Sequence, residues 1–126
     1  MFFSCKKDGD ANEISLANKM IVDKIWYLSY SQAIVGSKIT EKNYLGQSTY
    51  FIKFLSNNST SDSDGLKGVY SIERIGGVLQ IHVNAKTLSG NNVEYIYNVE
   101  TLGADNMILS YSNSTTINKF FYNTSH

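Results

Sequence analysis

The side chains that could do chemistry are few and poorly matched to catalysis. The 126 residues include one cysteine and two histidines. Cys5 has no second thiol to pair with, which excludes a disulfide framework. His82, the internal histidine, alternates with Gln80 and Asn84 on what reads as an outward strand face. Without a neighbouring set of Cys, Asp or Glu ligands it cannot build a zinc site. It also lacks the serine and carboxylate context of a nucleophilic triad. The run Asp62-Ser63-Asp64-Gly65 has part of the pattern of a calcium loop. With Gly65 on the loop's invariant glycine, Thr60 and Ser71 fall on its first and last ligand positions, so both ends fail. Glu94 and Glu100 share an outward side, which a solvated sheet face explains, and no paired carboxylates for glycoside chemistry emerge. The chain reads as non-enzymatic, with no cofactor and no metal.

The richer resource is aromatic: nine tyrosines, six phenylalanines and one tryptophan. Many of them recur at every second position within short runs. Residues 25–32 set Trp26, Leu28 and Tyr30 against Tyr27, Ser29 and Ser31. Residues 48–55 set Tyr50, Ile52 and Phe54 against Thr49, Phe51 and Lys53. Residues 67–74 place Tyr70 and Ile72 opposite Ser71 and Glu73, and residues 78–84 place Leu79, Ile81 and Val83 opposite Gln80, His82 and Asn84. Residues 93–102 set Val93, Tyr95, Tyr97 and Val99 against Glu94, Asn98 and Glu100. A period of two is the signature of a strand with one face inward. It puts Trp26, Tyr30, Tyr50, Phe54, Tyr70, Tyr95 and Tyr97 on inward faces. These rings either line a pocket for a lipid, aromatic or sugar-like ligand, or they are simply the core, each hydroxyl reaching a mouth or a backbone carbonyl. Arg74 shares the face of Tyr70 and Ile72. It is either a rim residue for a ligand carboxylate or an exposed strand-end arginine.

Residues 107–112 and 117–123 bring the total to seven or eight strands. Between them stand Gly76-Gly77, Gly90-Asn91-Asn92 and Gly103-Ala104-Asp105-Asn106, residues that supply the positive φ of tight hairpins. Short strands at regular spacing predict an antiparallel barrel or sandwich. Proline, a common device for blunting sheet edges, is absent, and closing the sheet would avoid needing it. Ahead of the strands, Asp10 and Glu13 have the spacing of a capping box, and Ile14, Ala17 and Ile21 would share a helix face. So short a helix must pack on something.

Two connections are long. Residues 33–47 carry Ile34, Val35, Ile39, Tyr44 and Leu45, too apolar for a solvated loop, which predicts a lid or short helix. Residues 56–66, reading SNNSTSDSDGL, predict a mobile polar loop. The length suits one domain, with residues 1–12 as a polar tether and 13–126 as the folded body. Lys+Arg and Asp+Glu balance at 11 each, so no basic field exists to attract nucleic acid. No stretch approaches the ~20 apolar residues of a membrane span.

Cys5 follows Ser4 and the apolar pair Phe2-Phe3, and precedes Lys6-Lys7-Asp8-Gly9-Asp10. This resembles the lipobox of bacterial lipoproteins, and the charged run resembles the tag of surface-exported lipoproteins in Bacteroidetes. Phe2 and Phe3 stand where a signal has roughly 7–15 apolar residues, so the segment reads as a lipobox remnant. The resemblance implies that Cys5 carries a diacylglyceryl thioether and an N-acyl chain. Several chains at ~0.8 kcal/mol per buried methylene would anchor it stably at the outer membrane of the cell envelope.

From Lys24 onward the ordered motifs are Ile25-Trp26-Tyr27-Leu28, Phe54 with Asp64-Gly65, Gly68-Val69-Tyr70-Ser71-Ile72 and Val78-Leu79-Gln80-Ile81. Tyr97-Asn98-Val99 through Leu102, and Asp105-Asn106-Met107-Ile108-Leu109, complete the series. Together they resemble the lipocalin-like lipoprotein domain common in Bacteroidetes. Two departures are the ten or so residues between Phe54 and Gly65, and Lys24-Ile25 where lipocalins carry a glycine before the tryptophan. The resemblance implies an all-β, antiparallel up-and-down barrel of about eight strands with a short N-terminal helix and a long first loop. Such a barrel is either filled by its own side chains or holds one small ligand. The expected function is a lipid-anchored envelope lipoprotein binding a small apolar or amphipathic ligand. The alternative is a protein–protein module, such as an inhibitor, an immunity-type lipoprotein or an accessory subunit, using residues 33–47 and 56–66 as recognition surfaces.

Overall fold

Extended segments with alternating burial become strands only where each finds a hydrogen-bonding neighbour. In a computed structural model, which describes the backbone of residues 2–125 and the side chains of residues 12–125, nine segments do so. Cys5, and with it the expected lipidation, lies outside the described side chains. Helix α1 (Phe2–Ile21) leads into β1 (Lys24–Val35), β2 (Lys38–Asn43), β3 (Phe51–Phe54) and β4 (Ser59–Asp62). A meander follows: β5 (Lys67–Ile75), β6 (Val78–Lys86), β7 (Asn92–Leu102), β8 (Asn106–Ser112) and β9 (Ile117–Asn123).

All pairings are antiparallel, and β1 closes the sheet. One edge of β1 pairs with β9 from Tyr27↔Asn123 to Ile34↔Ile117. The other edge is shared, with β3 on its first half (Lys24↔Phe54) and β2 on its second (Tyr30↔Asn43). Strands β1 and β3–β9 thus form a closed barrel of eight, and β2 is an additional strand. The result is the expected all-β, lipocalin-like barrel.

Three local expectations need correction. Residues 33–47 form neither a lid nor a helix. Ala33 and Ile34 continue β1 because β9 offers them ladder partners, Val35 pairs with Lys38, and the chain turns at Gly36 into the fully exposed β2. Residues 56–66 are not merely a loop, since Ser59–Asp62 form β4, bonded to β3 and β5. Barrel closure needs backbone donors and acceptors there, whatever the side chains. Thr60, buried on the inner face, settles its hydroxyl by donating to the Lys53 carbonyl at 2.9 Å. Finally, α1 runs through Asp10 instead of starting at it.

The predicted face of α1 is the buried one. Ala17 and Ile21 join a core cluster with Trp26, Phe54, Tyr70, Ile72, Ile81, Val83, Met107 and Leu109, and Ile14 packs against it. The helix therefore plugs the barrel end where β1 starts and β3 finishes. Trp26 Nε1 donates to the Ile21 carbonyl at 2.9 Å, occupying one of the acceptors that a helix C-terminus leaves open. At the same end the Glu13 carboxylate pairs with Arg74 of β5. The glutamate is about half exposed, so Glu13→Gln is expected to cost less than about 1 kcal/mol in urea unfolding.

Two bulges reset the alternation. The β1–β9 register shifts between Leu28 and Tyr30, and the β7–β8 register between Val99 and Thr101. An extra residue on one strand sends the following side chains to opposite faces.

Candidate functional site

The barrel end away from α1 is open. The first residues of β3, the turns at 62–66 and 87–89, and the inner faces of β7–β9 surround a cavity of about 760 Å³. Its wall is built by strand alternation: Tyr95 and Tyr97 from β7, Tyr111 from β8, Phe120 and Tyr122 from β9. Tyr95 and Tyr97 have ring centroids 5.7 Å apart, and Tyr97 meets Tyr111 at 5.9 Å and 88°. Tyr111 and Phe120 lie nearly parallel at 6.0 Å and 13°, and Phe120 reaches Tyr122 at 6.4 Å. These separations fall in the range where edge and offset contacts are favourable. Leu28, Ile52, Leu66 and the exposed Leu88 add apolar surface.

Among the described residues, the hydroxyls of Tyr95, Tyr97, Tyr111 and Tyr122 have no hydrogen-bond partner. By contrast, Tyr70 donates to the Leu55 carbonyl at 2.8 Å. Burial, the largest influence, pushes the Tyr97 and Tyr122 hydroxyls far above their usual range. Nearby tyrosines and Asp62 add to the effect on Tyr97, and Asp62 and Asp64 add to that on Tyr122. Tyr97 and Tyr122 are therefore neutral donors and acceptors at physiological pH.

Asp62 ends β4 on the inner face and lines the same space. Its Oδ1 accepts from the backbone N–H of Asp64 at 2.9 Å and of Leu66 at 3.0 Å. The run with a partial calcium pattern is thus a side-chain-stabilised turn. Burial raises the Asp62 pKa and outweighs those two donors, which lower it. The folded state therefore keeps this proton to higher pH than the unfolded chain. Stability should fall as pH rises from the ordinary aspartate value of 3.8 through the folded value, and the cost persists above it. In Asp62→Asn the amide oxygen can accept the same two bonds. That part of the fall should vanish when urea midpoints are compared across this pH window.

The residues singled out from sequence separate into groups. Tyr50, Tyr95 and Tyr97 line the cavity. Trp26, Phe54 and Tyr70 are buried in the core cluster, with Phe54 edge-on to Tyr70 at 5.1 Å. Tyr30 is not inward: the bulge after Leu28 turns it out, where it stacks on Phe121 at 4.2 Å. Arg74 does meet a carboxylate, but that of Glu13, at the plugged end. Tyr111, Phe120, Tyr122 and Asp62 were missed. The first three continue the alternation of Met107 and Leu109, and of Phe120 with Tyr122, whereas Asp62 sits in a uniformly polar run with no periodic signal. His82 faces outward between Glu73, 3.3 Å from Nδ1, and Gln80, 2.8 Å from Nε2. Among the described residues no group of three or more His, Cys, Asp or Glu is placed to hold a metal.

The fold and its cavity define a class: a closed, antiparallel, lipocalin-like barrel, plugged by a helix at one end and open at the other. Comparisons with protein-family models, curated proteins and solved structures return no match for this chain. No helix among the described residues is long and apolar enough to cross a membrane.

Proposed function

We propose that the protein is a lipid-anchored envelope lipoprotein whose barrel binds a small apolar or amphipathic ligand. The observation that carries the ligand reading is the cavity itself. At about 760 Å³ it lies within the ~300–1,000 Å³ of ordinary small-molecule sites. Its rings surround a space instead of filling it, and among the described residues the hydroxyls of Tyr95, Tyr97, Tyr111 and Tyr122 have no hydrogen-bond partner. A barrel serving only to pack its own core would have neither property. The anchoring reading rests on the lipobox-like residues around Cys5.

Two measurements test these readings. Full-length protein equilibrated with cell extract should retain a defined small molecule in native mass spectrometry, and a consistently empty barrel would overturn the ligand reading. Isolated from its native cells, the protein should carry acyl chains on the Cys5 peptide, and Cys5→Ser introduced at the native locus should release it from the membrane fraction. An unmodified Cys5 would remove the anchor.

A second reading, a protein–protein module, is favoured by the β1–β2 hairpin. Val35, Ile39 and Leu45 are 50%, 59% and 65% exposed, and β2 pairs only with β1. An exposed apolar strand edge suits strand addition by a partner. Ile39→Lys should abolish any envelope partner captured by cross-linking while leaving small-molecule retention intact.

A further inference from the structure

We infer that the cavity selects an organic cation, an amine or quaternary ammonium group carried on an apolar body. This rests on the ligand-binding reading and names its ligand class.

The charge of the lining is one-sided. Asp62 and Asp64 are its only ionisable acids or bases other than tyrosine, and no Lys, Arg or His contributes. Of the lysines next to lining residues, Lys53 lies over Phe51 at 5.5 Å and Lys119 pairs with Glu100 at 3.0 Å, while Lys67 and Lys86 flank Leu66 and Thr87 without joining the lining. The Asp62 carboxylate is half-buried and, among the described residues, forms no ion pair; its partners are two backbone N–H groups. A partly desolvated carboxylate without a counter-ion is costly, and a bound cation would offset that cost. A ligand carboxylate or phosphate there would meet like charge with nothing to balance it.

The rings supply the second half of the site. Tyr111 and Phe120 lie nearly parallel, and Tyr97 stands across both, at 88° to one and 83° to the other. The three rings line one space, and a cation reaching a ring face there would gain the contact by which aromatic side chains recognise quaternary ammonium groups. A metal ion is a poor occupant: calcium takes six to eight oxygen ligands, and no cluster of three acids exists among the described residues. Leu66 and the exposed Leu88 at the mouth would meet the ligand's apolar part.

The test uses three probes of similar size: phenyltrimethylammonium, its neutral carbon isostere tert-butylbenzene, and the anion benzoate. Each is titrated into the full chain by calorimetry, and into Asp62→Asn and Tyr97→Leu. The cation should bind more tightly than benzoate, and Asp62→Asn should weaken it by at least about fivefold while changing tert-butylbenzene by less than about twofold. Tyr97→Leu should weaken the cation by about twofold or more. Should Asp62→Asn fail to fold, raising the salt concentration on the unaltered chain serves instead. Cation affinity must fall while that of tert-butylbenzene does not. Benzoate binding as tightly as the cation, or cation affinity indifferent to both Asp62 and salt, overturns the inference. In that case, binding of tert-butylbenzene would leave the cavity reading standing. If no probe binds, both readings fall together.

Discussion

Trp26→Ala is expected to bring the protein close to unfolding. The side chain is fully buried and joins the helix to the barrel core. Truncating a buried Trp costs about 3–5 kcal/mol in transfer and cavity terms. Its indole N–H also satisfies the Ile21 carbonyl at the end of α1, and losing that bond adds about 1 kcal/mol. The sum rivals the whole stability of a small domain, roughly 5–15 kcal/mol. Trp26→Phe separates the two contributions, since it retains most of the ring and loses only the donor, for about 1–2 kcal/mol. Because Trp26 is the one tryptophan, urea unfolding should be followed by far-ultraviolet circular dichroism. A midpoint barely altered by Trp26→Ala would mean that the plug contributes little.

Gly68→Ala should be nearly as damaging, although it adds a single methyl group. Gly68 faces Ala85 where β5 and β6 come together. A Cβ there would lie 2.6 Å from Ala85 Cβ, and closer still to the Asn84 carbonyl oxygen and Ala85 Cα. Two of those three obstacles are backbone, so no rotamer change can yield. The ladder must open, at a cost of about 3 kcal/mol. Ala85→Gly in the same chain should rescue little, because the nearest obstacle is the Asn84 carbonyl. Full rescue would show that the side chain, not the strand spacing, sets the requirement. No φ constraint enters here, unlike at Gly76 and Gly77, whose φ of +59° and +80° make the β5–β6 hairpin turn.

How far the site could be read in advance depended on which residues carried the signal. Tyr95 and Tyr97 were legible because β7 alternates cleanly up to its bulge, and Tyr50 because it continues the face of Ile52 and Phe54. Tyr30 was misread, since one extra residue at position 29 reverses a face and leaves no mark in composition. Asp62 was invisible: a carboxylate among serines and asparagines is what any polar loop contains. Only its place at the end of β4, inside the barrel, makes it the acidic rim of a cavity.

Hydrophobic periodicity along the chain was enough to establish an all-β domain with hairpin turns and a helix whose Ile14, Ala17 and Ile21 pack inward. Those are local choices, made by side chains two to four positions apart. Which aromatic rows fill the barrel and which line a space is not local. Trp26, Phe54 and Tyr70 belong to the end that α1 occupies, while Tyr95, Tyr97 and Tyr111 belong to the end it leaves open. β1 adopts three partners, and a polar segment becomes a strand, because a closed sheet must satisfy every backbone donor and acceptor around its circumference. That is a requirement of the whole ring, and no single stretch of residues contains it.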